Sequence, residues 1–231
     1  MVRSYPQEFL REVPAGLRVA ERDPTDEELS TARSMRGQFL LPNEPEPYMD
    51  DVVRAFRLLA GMHRYVEVGS YDKGNLAYVA GMLGPEATLV DVDVEARPGC
   101  TEKLKGRLGP RQGLRTVVGD STIEDTYRAT RDALDGQLAD AVFIDGNHIA
   151  EAVMADYSLY SRLVRPGGLV LFHDVYWPGD EQYNGVSFAL QQIDRFAPIY
   201  VVFARDPMHR FLPFMSRERP WGGVGIIVKE G

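Results

Sequence analysis

The sequence predicts an α/β fold: a doubly wound, seven-stranded sheet with helices on both faces and a last strand that runs antiparallel. Three observations carry this expectation. From Tyr65 onward, short β-rich runs alternate with longer amphipathic stretches, the pattern of a parallel sheet joined by crossover helices. The runs Ala141-Val142-Phe143-Ile144 and Leu169-Val170-Leu171-Phe172 are continuously apolar, as in strands covered on both faces. Near the end, residues 198–203 and 224–229 read as two further strands. Pro207, Pro213 and Pro220 between them interrupt any crossover helix, so the last strand pairs antiparallel with its predecessor.

Taken in order, Thr25-Asp26-Glu27-Glu28 is a capping box that starts a helix running towards Met35. Pro42, Pro45 and Pro47 around Asn43 mark a joint near residue 45, between an extension (1–45) and the main domain (46–231). The extension, with Met35, Arg36, Gln38, Phe39 and Leu40, either packs on the body, closes over a substrate or mediates self-association into a dimer. Val52, Val53, Phe56, Leu59 and Ala60 recur at helical spacing, giving a helix over about 48–60 that ends at Gly61. Strands follow at 65–68, 88–92, 115–118, 141–144 and 169–172.

Composition narrows the function. The 231 residues exceed the roughly 150 of an average domain and suit one large domain with an extension. A formal charge of −8 repels phosphate backbones, which argues against a nucleic-acid partner. Cys100, alone, forms neither an internal disulfide nor a thiolate metal cluster, and points to the reducing cytoplasm. The first residues show no signal-peptide pattern, and nothing approaches the roughly 20 apolar residues of a membrane span.

The chemistry-bearing residues fall at the predicted strand ends. The first strand runs into Val66-Glu67-Val68-Gly69-Ser70-Tyr71-Asp72-Lys73-Gly74, a turn without the three-glycine spacing of a dinucleotide site. Glu67, two before the glycine, opposes phosphate and suits a cationic ligand. The second strand ends Asp91-Val92-Asp93, where doubly wound folds place a carboxylate against ribose hydroxyls. Asp91 is the first choice, and Asp93 is on the same side. Gly119-Asp120-Ser121 offers a further carboxylate and hydroxyl for an adenine amino group, or a helix cap.

Strands four and five end in Asp145 and Asp174. As neighbours they would converge at the carboxyl edge, where two hard carboxylates suit a divalent cation such as Mg²⁺, with Mn²⁺ and Ca²⁺ as alternatives. His148, three residues past Asp145, is placed to take a proton from a bound hydroxyl or, with Asn147, to cap the next helix. Tyr176, Trp177 and Tyr183 form an aromatic wall or simply pack.

These motifs together resemble a family: class I S-adenosylmethionine-dependent methyltransferases, in particular metal-dependent O-methyltransferases similar to macrocin O-methyltransferase and the methyltransferase-like proteins of cephalosporin biosynthesis. The resemblance runs from about Tyr65 to Lys229 and implies a Rossmann-like sheet of order 3-2-1-4-5-7-6. It implies S-adenosylmethionine along strands one to four, with Glu67, Gly69 and Ser70 near its methionine part. Asp91 would take its ribose, with Asp93 also in the cofactor site, and Asp120, with Gly119 and Ser121, would lie near its adenine. Asp145, which also borders the cofactor, and Asp174 would be metal ligands, and His148 the general base. His173 stands where an acid often supplies a third ligand, and a histidine there suits Mn²⁺, Fe²⁺ or Zn²⁺ better than Mg²⁺. The implied reaction methylates a hydroxyl of a small acceptor, a sugar, catechol or related natural product. The alternatives are a non-catalytic S-adenosylmethionine-binding protein on the same fold and a nicotinamide-dependent oxidoreductase.

Overall fold

The computed structural model describes residues 15–39, 49–175, 185–202 and 222–231. The joint near residue 45, the aromatic residues 176, 177 and 183, and the three late prolines lie outside them. A 3-10 turn at Ala15–Glu21 precedes α1 (Asp26–Gly37) and α2 (Asp50–Phe56), which continues as a 3-10 turn over Arg57–Leu59. Then follow β1 (Arg64–Val68), α3 (Gly74–Ala80), β2 (Thr88–Asp93), α4 (Pro98–Lys105), β3 (Gly113–Val118) and α5 (Glu124–Ala133). The chain continues through β4 (Ala139–Ile144), α6 (Ala150–Tyr160), β5 (Val164–Phe172), α7 (Gly185–Ile193), β6 (Tyr200–Val202) and β7 (Val224–Val228).

The seven strands form one sheet in the order β3-β2-β1-β4-β5-β7-β6. The pairs β3·β2, β2·β1, β1·β4 and β4·β5 are parallel, and β7 runs antiparallel to both β5 and β6. The terminal pair is thus as expected, with β7 inserted between β5 and β6.

Side-chain alternation divides the core into two layers. Tyr65, Leu89, Ala141, Phe143 and Leu171 face α2, α3 and α4 through Phe56, Leu59, Leu76 and Leu104. Val66, Val90, Val142, Ile144 and Phe172 face α5, α6 and α7 through Tyr127, Val153, Tyr160 and Leu190. Phe56 meets Phe143 edge-on, with centroids 5.1 Å apart.

The capping box forms as its sequence predicts: Thr25 Oγ1 accepts from Glu28 N–H (3.2 Å), and Glu28 Oε2 accepts from Thr25 N–H (2.8 Å). The segment packs on the body through two arginines of the α2 region. Arg54 Nε donates to the Ala20 carbonyl (3.0 Å), and Arg57 grips Glu28 through Nε (3.0 Å) and Nη2 (2.5 Å). Gly61 takes φ +77°, the left-handed geometry expected where the helix ends.

Candidate active site

The ladder continues one residue past four strands, which aligns their ends. Gly119 N–H donates to Asp93 O (2.9 Å), Gly69 N–H to Val92 O (2.8 Å), Asp145 N–H to Val68 O (2.9 Å) and His173 N–H to Ile144 O (3.1 Å). The acid-bearing residues after β2, β3, β4 and β5 therefore share one edge. Gly69, at φ +82°, lets β1 and β4 meet there, because a Cβ would overlap the Asp145 carbonyl and the Gly146 Cα. Tyr71, Lys73 and Asp174 also adopt positive φ (45°, 66° and 47°), a concentration of strain that marks this edge.

A cavity of about 770 Å³ opens along the edge. It is lined by Gly69 and Tyr71 after β1, Asp93 at the end of β2, Gly119, Asp120 and Ser121 after β3, and Asp145 to Asn147 after β4. Asp93 Oδ2 accepts from Tyr71 N–H (2.7 Å) and Oδ1 from Glu95 N–H (3.0 Å), which fixes the carboxylate and leaves each oxygen a second lone pair. Asp120 Oδ1 accepts from the N–H (2.9 Å) and hydroxyl (2.7 Å) of Thr122, and these bonds lower its pKa. Asp120 thus shapes the turn before α5 and lines the cavity as well.

Asp91, the first choice for ribose, is not among the lining residues. It is fully buried: Lys73 Nζ lies 2.7 Å from its Oδ2, Thr116 Oγ1 donates to the same oxygen (3.1 Å), and the Ser70 hydroxyl donates to its Oδ1. The correction has a physical reason. Lys73, itself fully buried, holds its ammonium against the inner carboxylate, whereas Asp93 lies at the solvent end of the strand. Ser70 also lies outside the lining, as partner of Asp91 and acceptor from Lys73 (3.2 Å). Glu67 lies in the same cross-strand row as Asp91 and takes a hydrogen bond from the Tyr65 hydroxyl (2.9 Å). Burial pushes its pKa well up.

Four titratable side chains converge beyond the Asp145 end. His173 Nδ1 lies 3.1 Å from Asp145 Oδ1 and 3.7 Å from Asp174 Oδ1. His148 Nε2 lies 3.6 Å from Asp145 Oδ1, and its Nδ1 lies 3.9 Å from Asp174 Oδ2. Neither His148 nor Asn147 caps α6, whose N-cap is Ile149 with no side-chain cap hydrogen bond; Asn147 Oδ1 accepts from the Ile149 N–H (3.0 Å) in the turn before it. The Asp145 carboxylate raises the pKa of His148. Burial opposes the charge on His173, yet Asp145 and Asp174 hold its pKa well above the imidazole range. Burial likewise acts to raise Asp145, and the histidines override it and hold the carboxyl well below its usual range. Among the described residues, ligand atoms of Asp145, His148 and Asp174 gather within 4.8 Å of one another, and His173, expected as a third ligand, lies outside that group with its Nδ1 turned to Asp145.

Two buried acids near the edge escaped sequence reading. Asp51, on α2, accepts from Gly223 N–H (2.7 Å) and from Val52 N–H (2.9 Å), beside His173 and Asp174. Asp156, on α6, is fully buried, and its carboxylate oxygens have no hydrogen-bond partner among the described residues. Each precedes or sits among helical apolar residues, where an acid reads as solvated surface. Lys73 stands inside the quoted turn, but a lysine gives no sign in sequence that it will be buried.

The sheet order, with acid-bearing strand ends along the carboxyl edge, defines the class: the class I methyltransferase fold. Residues 66–175, just under half of the chain, match a family model described as a methyltransferase domain. Over 117 residues the chain is 26% identical to an uncharacterised protein of Acanthamoeba polyphaga mimivirus, covering 48% of this chain; it spans about half (50%) of that curated relative's length. Three solved structures share the fold. Cofactor-bound Rv0187 from MTB has a TM-score of 0.60 at 20% identity, over 90% of this chain and 92% of its own. The MycE methyltransferase of the mycinamycin biosynthetic pathway, in complex with Mg and SAH, has 0.54 at 21%, over 90% and 54%. An O-methyltransferase from Bacillus cereus in complex with SAH has 0.55 at 15%, over 89% and 92%.

Proposed function

We propose that the chain is an S-adenosylmethionine-dependent, divalent-metal-assisted O-methyltransferase acting on a hydroxyl of a small polyhydroxylated acceptor of natural-product type. The observation that carries this reading is the meeting of two arrangements at one sheet edge. A cavity bordered by Asp93, Asp120 and Ser121 suits a nucleoside, and the Asp145–His148–Asp174 group adjoins it. Similarity to a Mg- and SAH-bound methyltransferase and to an SAH-bound O-methyltransferase supports it.

In this reading Asp93 accepts from the ribose hydroxyls, and Asp120 and Ser121 border the adenine. The Gly69 turn, with Glu67 behind it, faces the methionine part. The donor set also fits a hard divalent cation: the Asp145 and Asp174 carboxylates would hold it, with the His148 imidazole beside them left free for the proton. An ion held there supplies a Lewis-acidic seat that lowers the pKa of an acceptor hydroxyl. His148 would take the hydroxyl proton, and S-adenosylmethionine held at this edge would supply the methyl group to that oxygen and leave as the neutral thioether. Asp145 and Asp174 orient His148 between them, so that positioning dominates the catalysis.

The test is calorimetric titration of the cofactor-stripped protein with S-adenosylmethionine, with and without Mg²⁺, in wild type and Asp145→Ala. Micromolar binding by wild type and a metal-dependent heat lost in the variant are expected. Absence of S-adenosylmethionine binding under both conditions sinks the reading.

A further inference from the structure

The N-terminal segment contributes a side chain to the sheet edge that carries the cavity. Arg36, near the end of α1, reaches 36 residues along the chain to Asp72 in the turn after β1, where its Nη1 lies 2.6 Å from Asp72 Oδ1. The same oxygen accepts from the Gly74 N–H (2.8 Å), and a Cβ built on Gly74 would sit 2.6 Å from Arg36 Nη1, so the guanidinium lies across the turn itself. Asp72 has no solvent exposure, and its Oδ2 meets no hydrogen-bond partner among the described residues. On either side of it, Tyr71 (φ 45°) and Lys73 (φ 66°) are held in left-handed geometry. Tyr71 lines the cavity and donates its N–H to Asp93 Oδ2 (2.7 Å), and Lys73 Nζ lies 2.7 Å from Asp91 Oδ2.

We propose that Arg36 is a positioning residue of the cofactor site: by pairing with Asp72 it holds the strained turn 69–74 against Asp93, so the N-terminal segment shapes the site as well as packing on the body. Loss of the guanidinium leaves a buried carboxylate without its counter-charge, which is costly. The cheapest relief is rotation of Asp72 towards water, and the left-handed residues on both sides of it move with it. Tyr71 then leaves Asp93, the ribose acceptor. The two ends of α1 thus have separate tasks: Arg57 docks the helix through Glu28, and Arg36 sets the turn through Asp72. The inference rests on reading the cavity as an adenosyl site.

The experiment titrates the full chain calorimetrically with S-adenosylhomocysteine, in wild type, Arg36→Met, the double variant Arg36→Met/Asp72→Asn, and Arg57→Ala. Arg36→Met is expected to weaken binding by about tenfold or more. The double variant should recover most of that loss, because an amide at that position still accepts from the Gly74 N–H and needs no cation. Arg57→Ala, which frees the other end of α1, should bind within about threefold of wild type despite a lower Tm. Unchanged affinity in Arg36→Met overturns the proposal. So does a double variant that binds no better than the single, or an Arg57→Ala that loses as much, since either result is what general loosening of α1 produces. If Arg36→Met fails to fold by circular dichroism, hydrogen exchange of wild type decides. Coupling is reciprocal, so S-adenosylhomocysteine should slow exchange in residues 33–37 as well as in the turn, and unchanged exchange in α1 overturns the proposal. Failure of wild type to bind the ligand is a different result, and it removes the adenosyl reading itself.

Discussion

Asp91 and Asp156 are both carboxylates with no solvent exposure, and they differ in their surroundings. Asp91 has the Lys73 ammonium, whereas Asp156 has no cation and is displaced to a pKa of about 6 with Asp120, Ser121 and Tyr160 around it. Two opposite predictions follow from that contrast. Lys73→Met leaves the Asp91 charge buried and unpaired, and should destabilise the fold by about 3–5 kcal/mol in urea unfolding. Asp156→Asn should stabilise it at neutral pH. The folded carboxyl binds its proton more tightly than the unfolded one, so the native state is favoured below the unfolded value of 3.8. That advantage is lost as pH rises through about 6, and the difference is on the order of 3 kcal/mol. Unfolding curves of wild type and Asp156→Asn should therefore converge in acid and separate between about pH 4 and 7, with the variant higher at neutral pH. Curves that run parallel across that range would contradict the assignment.

At the level of elements, the N-terminal segment is held by side chains rather than by the sheet. Arg57 joins both oxygens of Glu28 and the carbonyls of Arg22 and Asp23, while its own side chain is only 6% exposed. Arg57→Ala should cost on the order of 3 kcal/mol, and limited proteolysis should then cut first in residues 15–39, since α1 loses its anchor to α2. Acid should loosen the same anchor. The Arg57 hydrogen bonds lower the Glu28 pKa from 4.5 to about 2, so their contribution is complete above 4.5 and disappears as pH falls towards 2. This anchor was half legible in sequence: Thr25 and Glu28 announced the helix start, but no local pattern announced that Arg54 and Arg57 would turn inward to cap carbonyls 33 to 35 residues earlier. The buried strands were legible because burial on both faces leaves continuous apolar runs, while their order came from the family resemblance. The choice between Asp91 and Asp93 was not, because alternation puts both on one side and only the long-range Lys73 contact separates them.

On the scale of the whole molecule, the sheet order makes ligand binding and stability one quantity. β1 lies between β2 and β4, and the cavity draws on the ends of β1, β2, β3 and β4, so a ligand in it bridges segments distant in sequence. The unfolded chain has no such site. A ligand that binds the native state alone adds RT ln(1 + [L]/Kd), about 2.7 kcal/mol at a hundredfold excess over Kd. For a domain of this size each kcal/mol moves Tm by about 2–4 °C, so saturating S-adenosylhomocysteine should raise Tm by about 5–10 °C. Asp93→Ala should lose most of that shift and lower the ligand-free Tm only modestly, by the loss of its two hydrogen bonds from the Tyr71 and Glu95 N–H groups. Asp91→Asn should instead lower the ligand-free Tm, since it leaves Lys73 without its counter-charge. Differential scanning fluorimetry on the two variants, with and without ligand, separates the residue that meets the ligand from the residue that holds the sheet. Reversal of these two patterns would return the ribose to Asp91.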